Sequence, residues 1–294
     1  MDCSRKTLIH LCHCRGIGWR TIFQLSKHIR PLDQIYILTK SELQSITGLS
    51  LHNLSTFYKD LHSIDITSQI ISYQTKGIQL LTILDERYPP LLKQIYDPPW
   101  MLFLKGNQNL LEQESKIAIV GSRKADTYTD NVLHFLIPKL VQKGYVIISG
   151  LAQGADEKAH RKTIENNGST IGVLGGGFFH LYPERNIKLS HMMMRDQLVI
   201  SEFPPDMKPQ KWCFPLRNRI ISGLSKGIIV TQAAERSGSL ITAEYGLNEG
   251  REVFALPGPI NHPLSRGTNQ LIQQGAKLIS SPDDVFSELE YKFH

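Results

Sequence analysis

From Lys116 onward the chain repeats one unit: a short apolar run, a loop rich in glycine or serine, then a stretch of helical character. The runs 117–120, 145–148, 170–174, 198–200, 227–231 and 252–256 are β-branched and nearly continuous in apolar residues, as strands covered on both faces must be. Helix-like stretches such as 130–143 and 155–166 lie between them. This alternation predicts an α/β fold with a doubly wound, Rossmann-like parallel sheet. Ligands of such sheets bind beyond the carboxyl ends of the strands, so the residues after each run are where function is sought.

Those residues form a coherent set. Gly121, Ser122 and Arg123 follow the first run; Ser149 and Gly150 open the loop that leads to Asp156 and His160; Gly175 to Gly177 lead to Tyr182-Pro-Glu-Arg185-Asn186; Ser237-Gly238-Ser239 and Pro257-Gly258 come later. Glycines let backbone N–H groups approach phosphate oxygens, the serines add hydroxyl donors, and an arginine can fork onto a phosphate with two parallel bonds. Helices beginning after the loops add their positive ends. A phosphate ligand is expected.

The loops match neither a Walker-type phosphate loop nor a dinucleotide fingerprint. A nucleophile elbow is also missing, so Ser149 and His160 do not read as a catalytic pair. His160 reads as a packing or capping residue, and Asp156 as a partner for its helix's dipole. No catalytic residue, cofactor or metal is expected.

Between Met207 and Ala234 there is no Asp or Glu, while Lys208, Lys211, Arg217, Arg219 and Lys226 all fall inside. Within it, Lys211-Trp-Cys-Phe-Pro-Leu-Arg217-Asn218-Arg219 interleaves cations with aromatics, the combination by which single strands are gripped through backbone charge and base stacking. Two readings stay open. Trp212 and Phe214 either stack on bases or fill the core, and Arg217 and Arg219 either face the ligand or brace the sheet end against Glu202 or Glu235. The overall charge of +6 is too balanced for a histone-like binder, so the grip must be local.

Residues 1–65 read as short helices separated by glycine turns, Arg15-Gly-Ile-Gly18 and Thr47-Gly-Leu-Ser50, in the outline of a helix-hairpin-helix pair. Such turns can offer backbone N–H groups to a phosphate, or simply let packed helices turn tightly. Residues 66–106 read as a connector with a strand over 78–84. The expected domains are therefore 1–65, all-helical, and 66–294, extended Rossmann-like. Cys12-His13-Cys14 lacks the spacing of a zinc knuckle, so reduced thiols are expected. No apolar run reaches the ~18 residues of a membrane helix, and the N-terminus lacks a signal-peptide core, so the expectation is a cytoplasmic protein without a membrane partner.

Taken together the motifs resemble the DNA processing protein A family, also called Smf, of bacterial natural transformation. Val120-Gly-Ser-Arg123, Ser149-Gly-Leu-Ala-Gln-Gly154, Ser201-Glu-Phe-Pro204, Phe214-Pro-Leu-Arg-Asn-Arg219, Ser237-Gly-Ser-Leu-Ile-Thr-Ala243 and Gly250-Arg-Glu-Val-Phe-Ala255 carry the resemblance. It implies a small N-terminal SAM-like domain, homodimerisation through the Rossmann domain, sequence-independent binding of incoming single-stranded DNA, and loading of the RecA recombinase on that DNA. Gly121, Ser122 and Arg123 match the loop that takes the phosphates, with Arg217, Asn218, Arg219, Ser237, Gly238 and Ser239 facing the same pocket. Phe179, Glu184 and Gln232 depart from the family pattern, and Arg185 stands where it can replace a missing lysine. A winged-helix extension is not expected. The competing readings are a sensor of free nucleotides and an enzyme cleaving nucleoside monophosphates, although the latter's glutamate is absent after Gly177.

Overall fold

A computed structural model of the chain describes residues 3–292, which divide into two compact units. The smaller runs through Tyr88 and takes in Pro99–Phe103. It contains helices α1 (Cys3–Leu11), α2 (Trp19–His28), α3 (Lys40–Thr47), α4 (Leu51–Ser63) and α5 (Ile66–Thr75), then strand β1 (Gln79–Thr82) beside the start of β2 (Met101–Gly106). Leu8, Leu11, Ile22, Leu25, Leu43, Leu54, Phe57 and Leu61 form its core. Thr39 and Glu42 close a capping box on α3, satisfying donors that the first helical turn leaves open.

The expected boundary at residue 65 falls inside this unit. Asp65 accepts from the N–H groups of Thr67 and Ser68, starting α5, whose Ile66, Ile70 and Tyr73 are buried at helical spacing. The segment read as a connector therefore holds two helices, the second a single turn at Pro90–Lys93, and two strands. Gly16 in the first glycine turn sits at φ +80, and a Cβ there would come within 2.6 Å of the Asn53 carbonyl oxygen. That turn serves close packing against α4. Cys14 is buried, its thiol pushed up to about 12 by desolvation, and His13 bonds Ile9 and Tyr73.

The larger unit carries α6 (Pro90–Lys93) and the alternation expected from the sequence. Strands β3 (Lys116–Val120), β4 (Val146–Gly150), β5 (Thr170–Val173), β6 (Leu198–Ser201), β7 (Gly227–Val230), β8 (Glu252–Ala255) and β9 (Lys277–Leu278) stand in the order β6-β5-β4-β3-β7-β8-β9, every pair parallel. Helices α7 (Thr127–Gln142), α8 (Ala155–Glu165), α9 (Ile187–Asp196), α10 (Cys213–Gly223), α11 (Gly238–Asn248) and α12 (Arg266–Gln273) connect them, and α13 (Pro282–Lys292) follows β9. α7 starts earlier than its periodicity suggests, because Asp126 accepts from the Tyr128 N–H and caps it. Ile117, Ile119, Leu133, Leu136, Leu140, Ile229, Phe254 and Val285 form an apolar layer on one sheet face. β3, the first of these parallel strands in chain order, lies between β4 and β7, so the order reverses there and leaves a crevice at its carboxyl end.

Candidate functional site

A cavity of about 1240 Å³ opens at that reversal. Its walls come from the loop after β3, the start of α10, the loop and helix after β7, and residues 262–264. Gly121 lies at the end of β3, where a Cβ would be driven into Thr231 and Ala155. The Ser122 N–H donates to the Gln232 carbonyl oxygen at 2.7 Å, and the Ser122 hydroxyl accepts from the Lys124 N–H at 3.0 Å. Gln232 also accepts, through Oε1, from the Asp126 N–H and the Thr129 hydroxyl. A neutral amide at 232 thus ties the β3 and β7 loops together. Gly154, at φ +85, lets the β4 loop run against the carbonyls of Ser122 and Arg123, closing the third side of the loop.

Arg123 and Lys124 are exposed at the cavity edge, and the Arg123 guanidinium stands 5.5 Å from the centre of the Phe214 ring. Phe214 in turn lies 5.9 Å from the Tyr182 ring. Lys211, Asn218, Ser237, Gly238 and Ser239 line the same cavity, with the Ser237 and Ser239 hydroxyls 2.6 Å apart. Arg217 forms the floor. It is buried, donates to the Val173 carbonyl oxygen and to Asn218 Oδ1, and faces Asp156 across Gly150. Burial pushes the Asp156 carboxyl up against the opposing pull of Arg217, while a guanidinium keeps its charge.

The other expected site residues are placed differently. Arg219 is turned away from the cavity: its Nη2 bonds Glu202 Oε1 at 2.6 Å and its Nε lies 3.2 Å from Asp97, which makes it a brace at the end of β6. Ser149 is buried and donates to the Ile119 carbonyl oxygen. Gly177 packs beneath the Pro204 and Pro205 carbonyls, and Gly175 stands against Phe214 in a small side pocket with Arg123, Tyr182 and Arg217. Asn186 is buried and donates to the Leu151 and Ala152 carbonyl oxygens, stapling the 183–186 turn to the β4 loop. Arg185 is exposed beside Glu157. Of the aromatics, Trp212 is exposed against Phe203 and Phe214 is half-buried at the cavity.

His160 is buried, bonded through both ring nitrogens to Thr170 and Gly150, and pushed down to about 4 by burial. It holds α8 to the sheet. Lys124, Tyr182 and His262, which sequence reasoning did not assign to the site, line the cavity as well. Lys124 had a signal, since it follows Arg123 directly. His262 had none, because it arrives from a loop more than a hundred residues away.

The fold and this crevice define a doubly wound α/β protein with a strand-end site lined by cations, hydroxyls and aromatic rings. The chain belongs to the DNA recombination-mediator protein A family, whose model matches residues 79–290. It is 46% identical over 258 residues to the DNA processing protein DprA of Bacillus subtilis, covering 86% of this chain and 85% of that one. The X-ray structure of DprA from Streptococcus pneumoniae is similar at a TM-score of 0.85 and 39% identity, over 96% of this chain and 97% of that one. A Helicobacter pylori DNA processing protein A structure, described for its unique single-stranded DNA binding mode, matches at a TM-score of 0.66 and 30% identity, over 74% of this chain and 98% of that one. Among the described residues no helix is long and apolar enough to cross a membrane, and no group of three His, Cys, Asp or Glu side chains is placed to hold a metal ion.

Proposed function

We propose that this protein binds single-stranded DNA without regard to sequence, acts in the cytoplasm as a homodimer in natural transformation, protects the incoming strand, and loads the RecA recombinase on it. The observation that carries the reading is the crevice in which Arg123 and Lys124 stand at the rim, Arg217 lies in the floor, and Phe214 offers a ring between them. Cations follow a phosphate backbone of any sequence, and a ring stacks on any base. The description of the Helicobacter pylori relative supports the choice of polymer. No catalytic step belongs to the proposal: Ser149 and His160 are both engaged in holding the sheet and its loops.

Fluorescence anisotropy with labelled oligo-dT over a salt series tests it. Binding should be tight at low salt and much weaker for duplex, whose bases are already stacked. Arg123→Ala should reduce the slope of log K against log salt by about 0.7, the share of one single-strand phosphate. An unchanged slope and affinity in that variant would remove the proposed grip. Release of free base from a nucleoside monophosphate would favour an enzyme instead. Recombinase loading is tested by whether the protein speeds filament growth on oligo-dT, and the homodimer by sedimentation.

A further inference from the structure

Outside the crevice, around the start of α8, lies another, smaller depression of about 380 Å³. Arg123 and Lys124 line both, so the two share an edge. The depression adds Lys158, Arg161 and Arg185, against one lining carboxylate, Glu157. Glu157 is buried, and its two oxygens are divided between the arginines: Oε1 lies 3.0 Å from Arg161 Nε and Oε2 lies 3.3 Å from Arg185 Nε. Both guanidiniums are about half exposed, and among the described residues neither has a hydrogen bond to its Nη atoms. One buried carboxylate thus sets two forks side by side and leaves a surplus positive charge facing solvent. Lys158 is drawn toward Asp130 and contributes less.

We infer that this depression is a second phosphate-binding track, over which a single strand runs on from the crevice, with Arg161 and Arg185 each taking a backbone phosphate. The inference rests on the single-stranded DNA reading above. An arginine held at Nε by a carboxylate still presents its Nη pair to an anion, and fixing the side chain beforehand reduces the ordering needed on binding. A single phosphate or nucleotide can sit in the crevice without reaching the track. Only a polymer gains from both, so the track would be read as a dependence on length.

The experiment compares the parent, Arg123→Ala and the double variant Arg161→Ala/Arg185→Ala on an oligo-dT ladder, each length titrated with salt. The double variant should bind the shortest oligonucleotides like the parent. On lengths that outrun the crevice it should lose about 1.4 from the salt slope, two phosphates' worth. Arg123→Ala should be weakened at every length, and Arg161→Lys/Arg185→Lys, which keeps both charges, should recover most of the slope on long strands. If the double variant matches the parent at all lengths while Arg123→Ala is impaired, the track is wrong and the crevice stands. Equal weakening at every length would place both arginines in the crevice itself and also overturn the track. If Arg123→Ala binds like the parent throughout, the single-stranded DNA reading falls, and the track falls with it.

Discussion

Arg219 Nη2 meets Glu202 Oε1 at 2.6 Å, an ion pair with the arginine almost wholly buried. Burial pushes the Glu202 carboxyl up, and Arg219 pulls it back toward the charged form. Removing one partner of such a pair leaves the other buried and uncompensated, at about 3–5 kcal/mol. Arg219→Ala should therefore melt well below the parent, and the fraction that remains folded at low temperature should bind oligo-dT normally. A variant with parental stability and weakened DNA binding would return Arg219 to the site.

The separation of Arg219 from Arg217 shows what the sequence could and could not tell. Side chains two residues apart on a helix point about 200° from one another, so on α10 Arg217 and Arg219 cannot both face the crevice. The sequence reading kept the two arginines together in the site; which of them faces the crevice depends on Glu202 and Asp97, which arrive from other elements. The strands were legible because burial on both faces makes them uniformly apolar. β9 was not, being two exposed residues at the sheet edge. Ser149, Gly177 and Asn186 resembled ligand-binding residues because small polar residues at strand ends serve both phosphates and loop carbonyls, and only the fold decides between them.

Gly154 offers a test of the phosphate loop that leaves every cation in place. At φ +85 and ψ −123 its backbone is one that L side chains rarely adopt, and an added Cβ would collide with the Ser122 and Arg123 carbonyl oxygens. Neither atom is the free end of a side chain, so the loop itself must move. Gly154→Ala should cost on the order of 1–3 kcal/mol in stability. It should also weaken oligo-dT binding nearly as much as Arg123→Ala does. Parental affinity, measured well below the variant's melting point, would mean that the loop's position is not what presents Arg123.

Glu249 gives the fold a pH dependence of definite sign. Burial pushes its carboxyl from 4.5 up to about 7, with Ser222 and Arg251 pulling the other way, and its Oε2 is buried without a hydrogen bond. Between those two values the unfolded chain has given up this proton while the folded chain still holds it. Its contribution to stability is therefore complete below 4.5, falls as pH rises toward about 7, and is level above that. Glu249→Gln, which keeps a neutral group of the same shape, should remove this fall. The parent's melting temperature should drop relative to the variant's across that window, and parallel curves would show that the buried oxygen is not the cause.

Phe214 separates stacking from charge. Its half-buried ring lies between the Arg123 guanidinium at 5.5 Å and the Tyr182 ring at 5.9 Å, with Gly175 too close beneath for any side chain there. A base stacked on such a ring contributes about 1–3 kcal/mol, whatever its identity. Phe214→Leu keeps an apolar side chain but removes the π-face, so oligo-dT affinity should fall by about that amount while the salt slope stays near the parent's. The decisive comparison is with an abasic strand of the same length. The parent should prefer the strand that carries bases, and Phe214→Leu should lose much of that preference. If the variant instead lowers the salt slope as Arg123→Ala does and still discriminates against the abasic strand, Phe214 serves to position Arg123 and the bases lie elsewhere.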